Sequence, residues 1–435
     1  MYLRRTAAAL TATAALAAVA APVAAADESP SPKGLPAGLY GKGDPQYDGV
    51  LRQSVALLAQ DAAGVTPAKQ ALDWLAGQQC EDGAFPAYRP DAGTPCGAKD
   101  KPESNATAAA VQALAATGGH PDVVEPAVEW LKSVQNDDGG WGFHPGDPEA
   151  GDSDANSTAL VVGALVAAGD KPADVRKGGR SPYDALRALQ LGCDADADKR
   201  GAFAHQPDAD GTLSANDLAT AAATTAAAGR GLVVPPAENG DGGDGGDTAV
   251  EAPSCDDGDS YRQQDSAAAA AAYLHGVLQK NGDHLMSSFA GAEDQPDHGT
   301  TSLAVLALAA AGYPEAARGP LGWLEKNLDG WDRATEDPAA LGQLVLGVHA
   351  TGGDPTAFGG ADLVERLNAT GPEPAAAEGT GGTGGKPADS DADGEQSDSS
   401  EDGSGVAWWT VGAVLVAGVG VGLLVSLRNK KKQDS

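Results

Sequence analysis

Two kinds of apolar pattern alternate along the chain between residues 47 and 370. In the first kind, as in AVEWLKSVQNDDGGW at 127–141, the apolar residues share one helical face and a Gly-rich turn with an aromatic residue follows. In the second kind, as in NSTALVVGALVAAG at 156–169, small apolar residues occur nearly all round the helix. An amphipathic helix lies at a surface, whereas a helix that is apolar on every side is buried. The pattern therefore predicts alternating outer and inner helices.

The outer pattern is an internal repeat, because residues 71–85 match residues 127–141 position by position. Each copy is followed by an inner helix of small residues, and several inner helices end at Gly with Pro a few residues later. Six helices of each kind predict an all-α fold, an α6/α6 toroid or alpha-alpha barrel, with an open α-solenoid as the alternative. Further outer helices are predicted at 185–190, 270–282, 320–331 and 361–367, and inner helices at 49–60, 105–117, 156–169, 216–229, 300–312 and 338–351.

The turn after the outer helix resembles the QW motif of terpenoid cyclases, Q-x3-G-x-W. Gln135-x3-Gly139-x-Trp141 matches it fully, Gln79-x3-Gly83-x-Phe85 matches with Phe for Trp, and later copies lose the Gln. On these motifs, residues 47–368 resemble the terpenoid cyclase and protein prenyltransferase superfamily. The resemblance implies that Gln79, Phe85, Gln135 and Trp141 are structural, with Gln capping backbone at a helix end and the aromatic ring packing beneath it. The same toroid is known in cobalamin carriers of the intrinsic factor and transcobalamin type.

The ends of the chain have the pattern of an exported membrane protein. Residues 1–26 form a predicted signal peptide with a small-residue cleavage site, followed by a linker at 27–46. Residues 406–427 are an uncharged apolar run, followed by a basic tail at 428–435, which predicts a transmembrane helix with its tail in the cytoplasm. The acidic Gly/Ser/Asp stretch at 371–405 is predicted to be a disordered stalk. We therefore expect a single-pass protein of the cell membrane with its globular part outside the cytoplasm.

The charge and the cysteines narrow the chemistry further. A net charge of −32 argues against nucleic acid as a partner. In an exported chain, four cysteines indicate disulfides, and the sequential pairing Cys80–Cys96 and Cys193–Cys255 is favoured among the three pairings. Residues 231–259, which contain GDGGDGGD, are predicted to be a flexible insertion in the third repeat. No metal site is predicted. Alternating carboxylates offer only a weak calcium alternative, against which an ordinary solvated loop is favoured: Asp194, Asp196 and Asp198.

An enzymatic function has an incomplete residue set. The family resemblance implies that a cyclase, an isomerase using carbocation chemistry, would protonate its substrate through D-x-D-D, and Asp152-Ser153-Asp154-Ala155 lacks the last Asp. An acidic run that stabilises a helix N-terminus is the favoured alternative. The predicted inner helices contain no aromatic residue between their ends, so nothing there would stabilise a cation. The zinc set of a prenyltransferase is also missing. We therefore interpret the chain as a binding protein and keep the cyclase that uses Asp152 and Asp154 as the alternative.

One end of the predicted barrel gathers polar residues that suit a large polar ligand. Asn105-Ala-Thr107 and Asn156-Ser-Thr158 also have the form of glycosylation sites, but at the start of inner helices we interpret them as helix caps or as residues of the barrel mouth. The stretch 154–160, DANSTAL, is similar to the helix starts of cobalamin carriers, which implies a corrinoid-type ligand and a β-rich partner protein, or a transporter, that completes the site. The predicted ligand-binding residues are Asn105, Thr107, Trp141, His144, Asp154, Asn156 and Thr158, with Phe143, Asn216 and Thr300 on the same rim.

Overall fold

The structure is a computed structural model that describes residues 35–236, 250–255, 260–288 and 295–376. The predicted signal peptide, the predicted transmembrane helix and basic tail, and most of the predicted stalk lie outside these residues. The first residues of the stalk, 371–376, lie against the barrel, where the Tyr40 hydroxyl donates a hydrogen bond to the Pro372 carbonyl at 3.2 Å. Within the described residues, none of the helices has the length and apolar character that a membrane crossing requires.

The described residues from Pro36 onward form alternating inner and outer helices, as the repeat predicts. The inner helices are α1 Gly49–Ala62, α3 Ser104–Thr117, α5 Ala155–Ala167, α7 Asp217–Ala227, α9 His298–Ala310 and α12 Pro338–Ala350. The outer helices are α2 Lys69–Gly77, α4 Pro121–Ser133, α6 Pro182–Ala188, α8 Gln263–Asn281, α10 Pro314–Lys326 and α13 Leu363–Asn368, with a single turn, α11, at Arg333–Glu336. A two-residue ladder joins strands β1 Leu285–Met286 and β2 Pro296–Asp297 in antiparallel register. The fold of this part is therefore all-α apart from one short hairpin.

The inner helices close into a ring. Each one packs against the next, in the order α1, α3, α5, α7, α9 and α12, and α12 returns to pack against α1. Small residues allow this close approach: a Cβ added at Gly342 of α12 would lie 2.9 Å from the Val55 side chain of α1. This closure decides for the α/α toroid and against the open solenoid.

The QW turn after α4 is held by its own hydrogen bonds and packs against the next repeat. The Gln135 side chain donates to the Gly139 carbonyl at 2.8 Å, and the Trp141 indole N–H donates to the Leu131 carbonyl at 2.7 Å. Gly139 has a φ of +91°, and a Cβ there would collide with the Ser181 carbonyl. The implied structural role of these residues therefore fits the contacts that they make.

A third copy keeps the Gln that the motif comparison counted as lost. Gln190 donates to the carbonyl oxygens of Gly201 at 3.1 Å and Ser266 at 2.9 Å, as Gln79 does to Gly83 at 3.1 Å and Val123 at 2.8 Å. Because the loop between Gln190 and Gly201 is longer, this copy does not have the Q-x3-G spacing of the motif.

Both predicted disulfides are confirmed. Cys80 is bonded to Cys96 and Cys193 to Cys255, with Cα–Cα separations of 5.5 and 6.1 Å, and all four cysteines of the chain are thereby used. The second bond ties the end of the insertion to the loop that follows α6. Both separations lie in the range of unstrained disulfides.

Candidate ligand-binding site in the barrel lumen

The ring of inner helices encloses a cavity of about 100 Å³. Every inner helix contributes to its wall, which is built mainly of aliphatic side chains, and no aromatic residue is among the described residues that line it. The sequence already indicates this composition, because the inner helices consist of Ala, Leu, Val and Thr. The polar lining side chains are Asn105, Gln112, Asn156, Thr225, Arg230 and Gln343.

Two of these polar side chains lack a partner. Asn105 and Asn156 are the second residues of α3 and α5, and their side chains are only 6% and 9% exposed. Their Oδ1 atoms are buried and accept no hydrogen bond from the described residues. A buried acceptor without a partner costs about 1–3 kcal/mol. Two unused hydrogen-bond acceptors therefore belong to residues of the lumen wall, on adjacent helices.

The side chains of Gln112, Gln343 and Thr225 bond to the protein itself, whereas Arg230 is exposed to solvent. Gln112 donates to the Leu160 carbonyl at 3.2 Å and accepts from the Leu232 backbone N–H at 2.8 Å. Gln343 donates to the Gly299 carbonyl at 3.0 Å. These contacts make Gln112 and Gln343 structural, in contrast to the two asparagines. Sequence reasoning missed both glutamines, although a Gln inside a buried run of small apolar residues was a signal that could have pointed to them.

Three of the predicted ligand-binding residues are used by the fold instead. Trp141, Thr107 and Thr158 are 0% exposed. Thr158 Oγ1 accepts the Trp141 backbone N–H at 3.1 Å, and Thr107 Oγ1 accepts the Phe85 backbone N–H at 2.9 Å. These residues join the start of an inner helix to the preceding turn and have no free surface for a ligand, so their prediction as ligand contacts is corrected.

The remaining predicted rim residues also have partners in the protein. His144 Nδ1 lies 3.1 Å from the Pro102 carbonyl and its ring packs against Phe143 at 4.4 Å; burial lowers the pKa of His144, which keeps the ring neutral. Asn216 caps α7 by accepting from the Ala219 N–H, and the Thr300 hydroxyl donates to Asp297 at 2.7 Å. Of the predicted set, only Asn105 and Asn156 line the lumen. Neither asparagine caps its helix, since the N-cap positions are Glu103 and Asp154.

Asp154, the candidate acid, caps α5 and is occupied on both oxygens. Oδ1 accepts from the Ser157 N–H at 2.8 Å and Oδ2 from the Ser157 hydroxyl at 2.6 Å, while His205 Nδ1 lies 3.7 Å away. Burial raises the pKa of Asp154. Asp152 is exposed, and neither carboxyl lines the lumen cavity. The contacts are those of a helix cap, which is the alternative that the sequence favours.

Burial shifts several carboxyl groups at the inner-helix N-termini toward their neutral forms. Burial raises the pKa of Glu103 to about 8 and that of Asp48 to about 6, the latter against the opposing effect of Arg52. Burial also raises the pKa of Asp217, which accepts a hydrogen bond from the Tyr273 hydroxyl at 2.7 Å. This end of the barrel is therefore less negative at neutral pH than its count of carboxyl groups implies.

No metal centre is found in the described parts of the chain, where His, Cys, Asp and Glu form no group of three around a common position. Asp194, Asp196 and Asp198 are exposed, and Asp196 forms an ion pair with Lys199 at 2.8 Å. The calcium alternative gains no support from these contacts.

Comparison with known proteins supports the terpenoid cyclase-like superfamily. Residues 104–183, from α3 into α6, match the family model of the squalene-hopene cyclase C-terminal domain. No curated protein matches the chain. The resemblance to cobalamin carriers finds no support among these matches.

Two solved structures are similar at low identity. A protein from Actinoplanes is 15% identical, with a TM-score of 0.44, and the match covers 73% of this chain and 95% of that one. A sugar epimerase from a ruminal bacterium is 13% identical, with a TM-score of 0.42, and the match covers 73% of this chain and 93% of that one. Likenesses at this level carry no conclusion about function.

Proposed function

We propose that the protein is an extracytoplasmic binding protein whose barrel lumen takes an apolar ligand that carries a hydrogen-bond donor. The observation that carries this proposal is the pair of unpartnered, buried Oδ1 atoms of Asn105 and Asn156 in an otherwise aliphatic cavity. Buried polar atoms in folded proteins are nearly always paired. A ligand hydroxyl or amide N–H would supply the missing partner.

The size of the cavity limits the ligand. An apolar cavity of about 150 Å³ holds a molecule of the size of benzene. A cavity of about 100 Å³ therefore suits a small branched alkyl group, or the apolar end of a longer molecule. A corrinoid-type ligand, expected from the family resemblance, is far larger, and most of the rim residues predicted to hold it have partners in the protein.

The charge of the ligand follows from the same surroundings. The two Oδ1 atoms accept hydrogen bonds, so a ligand carboxylate or phosphate cannot pair with them, and the net charge of −32 disfavours anions near the protein. The positive charge in the lining is that of Arg230, which is exposed to solvent. An ammonium group could donate, but its transfer into an aliphatic cavity without a counter-ion is costly. A neutral alcohol or amide is the class of ligand that fits best.

The cellular location of the protein is inferred from the disulfides and the chain ends. Two disulfide bonds favour an oxidising compartment outside the cytoplasm. Together with the predicted signal peptide at 1–26 and transmembrane helix at 406–427, they support a protein tethered to the outer face of the cell membrane. A β-rich partner or a transporter that receives the ligand remains a prediction.

Calorimetry on the full-length protein in detergent tests the ligand class, with empty micelles as the blank. Four compounds share one branched carbon skeleton and differ in their end group: 3-methyl-1-butanol, 3-methylbutylamine, 3-methylbutanoate and 2-methylbutane. We expect the alcohol to bind best and the carboxylate, which cannot pair with the two Oδ1 atoms, to bind more weakly, and cobalamin, the large polar control, to give no heat. Equal binding of alcohol and alkane, or no binding of any of the four, would contradict the proposal.

The asparagines are tested with a matched control at an equivalent position. Leu218 is the second residue of α7, lines the same cavity and carries no acceptor. The double variant Asn105→Leu/Asn156→Leu should weaken binding of the alcohol at least ten-fold, the value of one hydrogen bond of about 1.4 kcal/mol. Leu218→Val, which removes one methylene from the wall without changing its acceptors, should shift affinity by no more than about four-fold.

A terpenoid cyclase is the second candidate, because the family model that matches residues 104–183 is that of a cyclase domain. Its chemistry would require Asp154 to release a proton into a lumen that it does not line. Incubation with squalene or geranylgeranyl diphosphate is expected to yield no cyclic product. A cyclic product that disappears in Asp154→Asn would favour the enzyme over the binding protein.

A further inference from the structure

We propose that residues 230–234 form a plug that closes the C-terminal end of the inner ring, with Leu232 setting the length of ligand that the lumen accepts. The inference rests on the proposed function, since it concerns the same cavity. These residues follow α7 and begin the insertion that was predicted to be flexible at 231–259; its residues 237–249 and 256–259 lie outside the described part of the chain.

The plug crosses the ring and contacts several inner helices in turn. The Leu232 backbone N–H donates to Gln112 Oε1 of α3 at 2.8 Å. A Cβ added at Gly163 of α5 would lie 2.9 Å from the Gly231 Cα, so the two backbones meet without a side chain between them. Val234 is 4% exposed and packs with Leu306 of α9 and Ala350 of α12. A segment fixed on four helices belongs to the barrel wall.

Gln112 holds the plug from the lumen side. Its Nε2 donates to the Leu160 carbonyl of α5 while its Oε1 accepts from Leu232, so one carboxamide links two inner helices to the plug. A Cβ at Gly231 would lie 2.5 Å from the same Oε1. Any residue larger than Gly at 231 would therefore displace the Gln112 carboxamide and disturb its hydrogen bond to Leu232. The other end of the insertion is held by the Cys193–Cys255 bond.

The plug makes the two ends of the lumen different. Asn105 and Asn156 lie in the first turn of their helices. Gln112, which contacts Gly231 and Leu232, lies in the C-terminal half of α3, and Thr225 lies near the end of α7. A ligand whose donor meets the asparagines therefore extends its apolar end toward Leu232. The Leu232 side chain lines the cavity at this end, while its neighbour Val233 packs against the core without lining it. Leu232 is thus the residue that limits the apolar end.

A series of straight-chain alcohols from butanol to dodecanol, titrated into the full-length protein, measures this limit. Affinity should rise about four-fold per methylene, equivalent to roughly 0.8 kcal/mol, and then stop rising at a cut-off length. Leu232→Ala should move the cut-off to longer alcohols and Leu232→Trp to shorter ones. Val233→Ala, the matched control in the same segment, should leave it unchanged. Binding with one common cut-off in all four proteins would overturn the role of Leu232.

A second measurement judges the plug without a ligand. Thr225 lines the cavity beside the plug and is 8% exposed, so Thr225→Cys should react slowly with N-ethylmaleimide. In the double variant Thr225→Cys/Leu232→Ala, the reaction should be at least ten-fold faster, because the end of the lumen is then open. Equal rates in both backgrounds would contradict closure by these residues. If the alcohols fail to bind but the rates differ, the proposed function fails while the plug stands.

Discussion

Two polar residues on a single turn of α5 differ in their hydrogen bonding: one has a partner in the protein and the other has an oxygen without one. Thr158 points to the preceding QW turn, where its hydroxyl accepts the Trp141 N–H at 3.1 Å. Asn156, two residues earlier, lines the lumen, and its Oδ1 has no partner. Thr107 and Asn105 repeat the pair on α3. The same difference at two equivalent positions shows that it belongs to the repeat and not to one irregular turn.

Thr107 and Thr158 therefore stabilise the barrel, whereas Asn105 and Asn156 each leave a hydrogen-bond acceptor unused. Both threonines are satisfied and contribute stability, whereas the asparagines carry an energetic cost of about 1–3 kcal/mol for each unpaired oxygen. Buried atoms without a partner are rare, and for these two, which belong to residues of the lumen wall, we infer a ligand as the partner. Substitutions at the threonines and at the asparagines should therefore change stability in opposite directions.

The largest effect is expected at the QW turn. Trp141→Ala removes the largest fully buried side chain and its hydrogen bond to Leu131, and should lower the free energy of unfolding by about 3–5 kcal/mol. Denaturant unfolding of the full-length protein measures this change. Trp74→Ala, at a half-buried position on outer helix α2, is the control and should cost much less. A loss below about 1 kcal/mol for Trp141→Ala would deny the structural role of the turn.

The next effect depends on pH. The ordinary pKa of 4.5 for Glu103 is raised to about 8 by burial. Between these values the folded protein holds a proton that the unfolded chain has released, so this group's contribution to stability is complete below pH 4.5 and is lost as pH rises toward 8. Glu103→Gln, which mimics the protonated form, should raise the free energy of unfolding by on the order of 4 kcal/mol at pH 8 and change little at pH 4.

Asp184→Asn is the control for the sign of this effect. Hydrogen bonds from Ser181 hold the pKa of Asp184 below its ordinary value, so its contribution is present at neutral pH and lost as pH falls. The variant should be less stable than the wild type at pH 7, and the gap should close in acid. The same direction of pH dependence in both variants would contradict the assignment for Glu103.

A smaller loss is expected at Thr158. Thr158→Val keeps the shape but removes the acceptor of the buried Trp141 N–H, and should lower the free energy of unfolding by about 1–2 kcal/mol. Thr225→Val is the control, since the Thr225 hydroxyl bonds only to the Ala221 carbonyl one turn back in its own helix, at 3.2 Å. Chemical unfolding of the two variants measures both losses. Equal losses of unfolding free energy in the two variants would contradict the role of Thr158.

The architecture was predictable because it depends on a repeated pattern. Burial of the small-residue helices, the amphipathic outer layer and both disulfides follow from the spacing of apolar residues and cysteines, and the ring closes as the count of six in each layer predicts. The site was only partly predictable. Asn105 and Asn156 were identified, but so were Thr107, Thr158 and Trp141, because the sequence shows that residues start an inner helix and not to which side of it they point.

Contacts between distant parts of the chain were outside the reach of the sequence. The Gln112–Leu232 hydrogen bond joins residues that belong to different repeats, and no local pattern signals it. A Gly/Asp-rich composition following Leu232 predicted flexibility, yet the first residues of that insertion pack into the ring. Glu103 likewise reads as a surface acid, and only its burial in the fold raises its pKa.

The double variant Asn105→Leu/Asn156→Leu tests the central claim most directly, because stability and binding should move in opposite directions. We expect the free energy of unfolding to rise by about 2 kcal/mol or more, because each of the two unpaired buried oxygens costs about 1–3 kcal/mol and both are replaced by methyl groups. In the same protein, 3-methyl-1-butanol should lose the stabilisation that it confers on the wild type. A double variant that is less stable than the wild type, or that still binds the alcohol with wild-type affinity, would show that these asparagines serve the fold and not a ligand.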